Sequence, residues 1–157
     1  MKKILLVIAI LLIVIGAIRF TQGYLKGKEP FLFKKTPIVT INDHNFKVAV
    51  AASQKEQEIG LSETKSLQQD QGMIFLFQKP DYYSFWMRNM KFPIDIIYIS
   101  NDTVVTIKND VQTPKNNNDN LTIYTPTKPS DKVLEIQAGL SEKYNFKNGD
   151  KVKIDGI

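Results

Sequence analysis

From Ser84 to Ile99 the chain reads Ser-Phe-Trp-Met-Arg-Asn-Met-Lys-Phe-Pro-Ile-Asp-Ile-Ile-Tyr-Ile, and no other stretch restricts the fold as strongly. Pro93 lacks a backbone N–H, so it ends one strand-like run, Tyr82 to Met87, before another begins at Ile94. Side chains alternate across a strand, which places Asp95 on the same face as Ile97 and Ile99. A carboxylate among β-branched neighbours is costly to bury unless it is hydrogen-bonded or sits at a wet opening. Asp95 is therefore either an acceptor for backbone N–H groups or the polar group of a site.

Around this stretch the chain divides into three parts. Ile4 to Ile18 is unbroken apolar sequence, preceded by Lys2-Lys3 and followed by Arg19. As a helix it would rise about 22 Å, and extension through Phe20 with snorkelling flanks brings it near the roughly 30 Å hydrocarbon layer. Residues 1–20 are thus expected to form a transmembrane signal anchor. A cleaved signal peptide and a buried core helix are the alternatives, the former with only Thr21-Gln22-Gly23 as a weak cleavage site. Cations ahead of the run place the N-terminus inside and the rest of the chain outside the cytoplasm, secreted if the segment is cleaved. Residues 21–37, mixed in Gly, Lys and Pro, read as a linker; Phe31-Leu32-Phe33 within it suits an edge strand or an interfacial contact.

Residues 38–157 alternate short strand-like runs with turn signals. Ile38 to Ile41 and Phe46 to Ala51 flank a polar turn that contains His44. Ser53-x-x-Glu56 is a capping box that opens a short helix ended by Gly60. Gly72 to Phe77 is a continuous apolar run of central-strand length. Lys79-Pro80-Asp81 reads as a turn into Tyr82–Met87. Asn101-Asp102 is a tight turn between Ile94–Ser100 and Thr103–Ile107. Pro114 to Asn120 is an exposed loop. Val133 to Ala138 is a strand ended by Gly139, and Leu140 to Tyr144 is a helical turn. Asn148-Gly149-Asp150 then turns into a closing strand. The fold class expected is mostly β, a β-rich α+β domain built as a small barrel or sandwich with one or two short helices, behind the transmembrane helix.

Composition removes several functions. The chain has no Cys, which excludes disulfides, thiol catalysis and Cys-ligated zinc. With His44 as its one His there is no histidine metal cluster, and no Gly-x-Ser-x-Gly elbow accompanies it. The net charge of +5 falls to +2 once Lys2, Lys3 and Arg19 are set aside, leaving 18 basic against 16 acidic residues. The remaining lysines form no stripe, so no nucleic-acid partner is expected. No cofactor is indicated.

The ordered set Gly60-Leu61, Gly72-Met73-Ile74-Phe75, Phe85-Trp86-Met87-Arg88-Asn89, Pro93-Ile94-Asp95-Ile96-Ile97, Val133-Leu134-Glu135-Ile136, Ala138-Gly139 and Asn148-Gly149-Asp150 resembles the prokaryotic domain of unknown function number 192. The resemblance runs from about Val39 to Ile154. It implies a compact β-rich fold, frequently behind a signal or anchor, and no settled activity. Where that family usually has Met and Arg after Gly-Leu, this chain has Ser62 and Thr64; where it commonly has Thr after Phe-Trp-Met-x-Asn, this chain has Met90. If that Arg binds an anion in relatives, this chain lacks the residue for it, and a hydroxyl contact at Met90 is lost as well.

Two sets of side chains are candidates for chemistry. Asp95 and Glu135 are the acids embedded in apolar strand-like runs; on neighbouring strands they could act as a general acid/base pair of the glycosidase type. Both could equally hold loops by accepting backbone hydrogen bonds. Tyr82, Ser84 and Trp86 share one face and Tyr83, Phe85 and Met87 the other, and one of these faces must be core. An exposed Trp86–Tyr82 face, with Arg88, Asn89 and Asp95 nearby, would suit stacking on a sugar or aromatic ring; a core Trp86 would bond its N–H to a neighbour. Met87-x-x-Met90 with His44 is too small and generic a set for a soft copper ion, so no metal is expected. The function expected is a membrane-anchored, extracytoplasmic binding or accessory module for an envelope component such as a glycan. The rivals are a hydrolase using Asp95 and Glu135 on a saccharide, and a scaffold for another envelope protein.

Overall fold

The computed structural model describes residues 36–115 and 121–157. The expected anchor, the linker up to residue 35 and most of the Asn-rich loop lie outside them. The elements are β1 (Ile38–Ile41), β2 (His44–Ala51), α1 (Gln54–Ile59), β3 (Gln71–Asp81), β4 (Ile94–Ser100), β5 (Thr103–Val111), β6 (Ser130–Gln137), α2 (Leu140–Lys143) and β7 (Val152–Asp155). The strands form a single seven-stranded sheet in the order β5-β4-β6-β3-β2-β1-β7. All neighbours are antiparallel except β2 and β3, which run parallel with α1 in the connection. The sheet curls into a half-barrel, and its two edges touch at one corner. There Thr103 bridges Lys151, and Val104 and Val152 donate to the carbonyls of Asp150 and Asp102 at 2.9 and 2.8 Å. Among the described residues the fold is thus β-rich with two short helices, and a curled sheet rather than a two-sheet sandwich.

Local sequence explains most of the boundaries. Asn42 and Asp43 both take positive φ, 47° and 66°, the backbone a two-residue hairpin turn requires. His44 therefore begins β2 instead of lying in the turn, and its ring stacks on Tyr144 at 3.8 Å. Ser53 and Glu56 form the expected capping box, the Ser53 N–H donating to Glu56 Oε2 at 2.8 Å. Lys79-Pro80-Asp81 does not turn; it completes β3 beside a bulge between Leu76 and Asp81, where β6 offers Pro80 no ladder position. Tyr82–Met87 is correspondingly not a strand; its one β-bridge joins Phe85 to Tyr124.

Two apolar clusters follow from the alternation. The first joins Val104 of β5 to Val152 of β7, from opposite ends of the sheet, so it fills the concave side, with Ile97, Ile99, Ile74 and Phe46 among its members. The second uses the opposite faces of the central strands, with Phe75, Ile96, Tyr98 and Val133. It is covered by Leu61 beyond α1 and by Met87 and Phe85 of the segment after β3. β4 feeds both clusters and is buried on both sides.

Asp95 lies fully buried on the concave side with Ile97 and Ile99, as the alternation requires. Its carboxylate accepts the N–H groups of Asp110 (2.8 Å), Gly139 (3.0 Å) and Ser141 (2.7 Å). Gly139 is the N-cap of α2 and has no side chain to cap it, so Asp95 supplies that acceptor from β4. Asp95→Ala would strand three donors and is expected to lower unfolding free energy by roughly 2–4 kcal/mol. Urea denaturation checks this, and a loss below about 0.5 kcal/mol, the level of ordinary surface substitutions, would contradict it.

Gly72 supplies a second test of the packing. A Cβ there would sit 2.7 Å from the Glu135 carbonyl oxygen of β6 and 3.2 Å from Ile136 Cγ2. Gly72→Ala is expected to cost about 1–3 kcal/mol in the same assay, because a strand backbone has to give way.

Candidate ligand-binding site

The β4–β6 register decides where the two interior acids point. Asp95 pairs with Ile136 and Ile96 pairs with Glu135. Directly paired residues share a face, so Asp95 looks to the concave side and Glu135 to the convex side. Their strands are neighbours, yet one residue of offset puts the sheet between the carboxyls. The expected acid/base pair does not form, and Asp95 is an acceptor sealed by backbone donors.

Glu135 lies instead at a cavity of about 190 Å³ on the convex side. One wall comes from α1 and its exit, with Gln57, Glu58, Gly60, Leu61 and Ser62. Gln57 ties this wall to the sheet by donating to the Leu76 carbonyl at 2.8 Å. Gly60, at φ 51°, turns the chain off the helix, and Ser62 donates to the Ile59 carbonyl at 2.6 Å. Phe75 and Phe77 of β3 contribute the sheet side, and Tyr83, Phe85, Trp86, Arg88 and Met90 the opposite wall.

That opposite wall is held by aromatic contacts rather than by a strand ladder. Phe85 meets Phe75 edge-on at 5.0 Å and Tyr98 at 5.9 Å. Tyr83 stacks on Phe77 at 3.6 Å and donates its hydroxyl to the Lys79 carbonyl. Phe85 and Tyr124 exchange backbone hydrogen bonds at 2.9 and 2.8 Å, and Tyr98 donates its hydroxyl to the Tyr124 carbonyl. With Tyr83, Phe85 and Met87 turned inward, Tyr82 and Trp86 stay about half exposed, at 55% and 49%. The expected division of faces therefore appears without a strand, and Trp86 belongs to the outer one. The Arg88 guanidinium carbon lies 5.6 Å from the Trp86 ring centre, a cation–π contact at the rim. Asn89 takes φ 60° in the turn that follows and is exposed.

Of the side chains expected to act together, the structure gathers Trp86, Arg88 and Glu135 around one cavity; Tyr82 and Asn89 are not among its lining residues, and Asp95 is on the other side of the sheet. Met87 is buried in the convex cluster while His44 stacks on Tyr144, so the copper set does not converge. Gln57, Gly60, Ser62 and the β3 aromatics also line the cavity, although nothing in their local sequence marks them for chemistry. The Gly60-Leu61 and Gly72–Phe75 blocks were the available signal. Two departures from the family pattern, Ser62 and Met90, both fall on the cavity wall.

A family model described as "Uncharacterized ACR" (DUF192) matches residues 37–154. The chain belongs to the DUF192 family. It is similar to a protein of unknown function from Novosphingobium aromaticivorans DSM 12444, with 35% identity and a TM-score of 0.68 over 74% of this chain and 83% of that one. It shares the fold of a protein described as a candidate transcription regulator from Sinorhizobium meliloti 1021, with 24% identity and a TM-score of 0.67 over 77% and 93%. No functionally curated protein matches it.

The electrostatics of the cavity centre on Glu135. It is 6% exposed, and its Oε2 has no hydrogen-bond partner. Its strand neighbours on this face, Met73 of β3 and Ile96 of β4, offer no donor. Burial pushes its carboxyl up to about 8 from an ordinary 4.5, so at neutral pH it is mostly an uncharged acid. The Tyr98 hydroxyl is raised as well, by burial first and by the Glu135 charge second.

Stability therefore depends on pH through Glu135 across the neutral range. Between about pH 4.5 and 8 the folded DUF192 domain keeps a proton on Glu135 that the unfolded chain has released. The folded state binds more protons, so this contribution is full below 4.5, falls as pH rises through the window and is lost above 8. Chemical denaturation from about pH 5 to 8.5 is expected to show a decline on the order of 3–5 kcal/mol that Glu135→Gln abolishes. Parallel curves for the two proteins would contradict the assignment.

Proposed function

We propose that this DUF192 protein is a binding module of the cell envelope, displayed outside the cytoplasm on its N-terminal anchor, and that its cavity receives a sugar ring of an envelope glycan. The observation that carries the reading is the half-exposed Trp86 at the rim of a cavity whose far side is a partnerless acid. An aromatic rim with a few polar groups deeper in is the usual composition of a small-ligand site. A sugar ring matches it, because its C–H faces pack on indole while its oxygens need hydrogen-bonding partners. Lys2-Lys3 ahead of the apolar run supports the outward orientation.

Trp86 is the chain's sole Trp, so its fluorescence reports directly on the rim. Titrating the full-length protein in detergent with β-1,4-linked N-acetylglucosamine oligomers is expected to give a saturable change in emission. Trp86→Phe, read by calorimetry, should weaken binding about tenfold, corresponding to roughly 1.4 kcal/mol, with the melting temperature nearly unchanged. No saturable signal up to millimolar oligomer, or domain residues protected from protease outside intact cells, would sink the reading.

A further inference from the structure

Glu135 has no structural task that the fold reveals. Asp95, one register position away, satisfies three N–H groups, while Glu135 Oε2 meets none. The strand pairing around it is complete without its side chain, since both neighbouring strands bond through the backbone. Leaving a polar atom buried and unpaired costs on the order of 1–3 kcal/mol, which a purely structural position would avoid with an apolar residue. Its surroundings also exclude a charge partner. β3 presents Met73 and Phe75 to it, and β4 presents Ile96 and Tyr98. The Tyr98 hydroxyl donates to the Tyr124 carbonyl and makes no hydrogen bond with Glu135 Oε2. Of the charged groups lining the same cavity, Glu58 is exposed and accepts from Gln54 at 2.8 Å, and Arg88 is exposed and lies over Trp86. Tyr83, the remaining titratable group of the lining, donates to the Lys79 carbonyl.

We propose that Glu135 is the hydrogen-bond donor of this cavity: its carboxyl proton holds an uncharged oxygen acceptor of the ligand, an amide carbonyl or a hydroxyl, and ligands that carry a cation at that end are not accommodated. This specifies the ligand chemistry of the glycan-binding reading and, for the sugar itself, rests on it. The elevated carboxyl is consistent with the geometry, since a group held neutral in an apolar wall donates at neutral pH and ceases to donate once it ionises. An N-acetylated sugar supplies such a carbonyl, whereas the corresponding free amine would demand the ionised form.

The test uses the full-length protein in detergent, with Glu135→Gln and Glu135→Leu as variants. The first keeps a neutral donor of the same shape; the second removes it and suits the apolar surroundings, so both are expected to fold. Binding of an N-acetylglucosamine oligomer to the native protein should be constant from about pH 6 to 7 and weaken toward tenfold per pH unit once above about 8. Glu135→Gln should bind within about threefold of native and stay level to about pH 9, and Glu135→Leu should bind about tenfold more weakly at every pH, the loss of one hydrogen bond. A glucosamine oligomer that binds the native protein more tightly than the acetylated one, with proton release that Glu135→Gln lacks, would show a working carboxylate and overturn the proposal. Equal binding by Glu135→Leu would overturn it too. If no oligosaccharide binds, the glycan reading fails while the role of Glu135 is still decided by acetamide and methylammonium as probes. Acetamide shifting the backbone amide NMR signals of Ser62 and Ile136 in the native protein and in Glu135→Gln, but not in Glu135→Leu, supports it. No acetamide response, or a response to methylammonium instead, overturns it.

Discussion

Six consecutive antiparallel pairs, from Ile94–Gln137 to Ile99–Lys132, lock β4 against β6, the second and third strands of the sheet. Every later feature depends on that register. It sends Asp95 into the concave side, where three backbone donors converge, and it sends Glu135 to the convex side, where none does. A slip of one residue in β4 would turn Asp95 to the convex side, away from its three donors, and leave two unpaired acids in place of one. The register is held by side chains of both clusters, with Ile97 and Leu134 on one face and Tyr98 and Val133 on the other.

The convex side needs a cover because the central strands are apolar there as well. The parallel β2–β3 connection brings α1 and Leu61 over it from one direction, and the segment from Tyr83 to Met90 closes in from the other. The two covers leave a cavity between them instead of meeting. Aromatic pairs anchor the second cover: Phe85 on Phe75 and Tyr98, Tyr83 on Phe77. This arrangement fixes Trp86 at the rim through its neighbours while leaving half of it exposed, which gives a preorganised wall at little cost in side-chain ordering.

Much of the fold was legible from residues. The Asn101-Asp102 turn, the Ser53/Glu56 capping box, the central β3 and the Gly139 stop each rest on local chemistry that the structure keeps. The inward and outward division of Tyr82–Met87 was legible too, although the segment is no strand; an extended chain lying on an apolar face alternates with or without a ladder. Facing was less legible than strand identity. Asp95 and Glu135 were visible as interior acids on adjacent strands, but which face each takes depends on a register set by contacts far apart in sequence. The cavity was the least legible, because its walls come from four separate stretches and its empty centre is a property of where the two covers stop. For the same reason Gln57 and Ser62 carried no signal beyond their place beside Gly60-Leu61.

The most direct test of the site is a crystal structure of the protein with a bound N-acetylglucosamine oligomer. The expected result is a ring packed on Trp86 with an acetamide or hydroxyl oxygen within about 3 Å of the Glu135 carboxyl, a hydrogen-bond distance. An oligomer bound elsewhere, or a cavity closed over with Glu135 paired to a protein group, would contradict it.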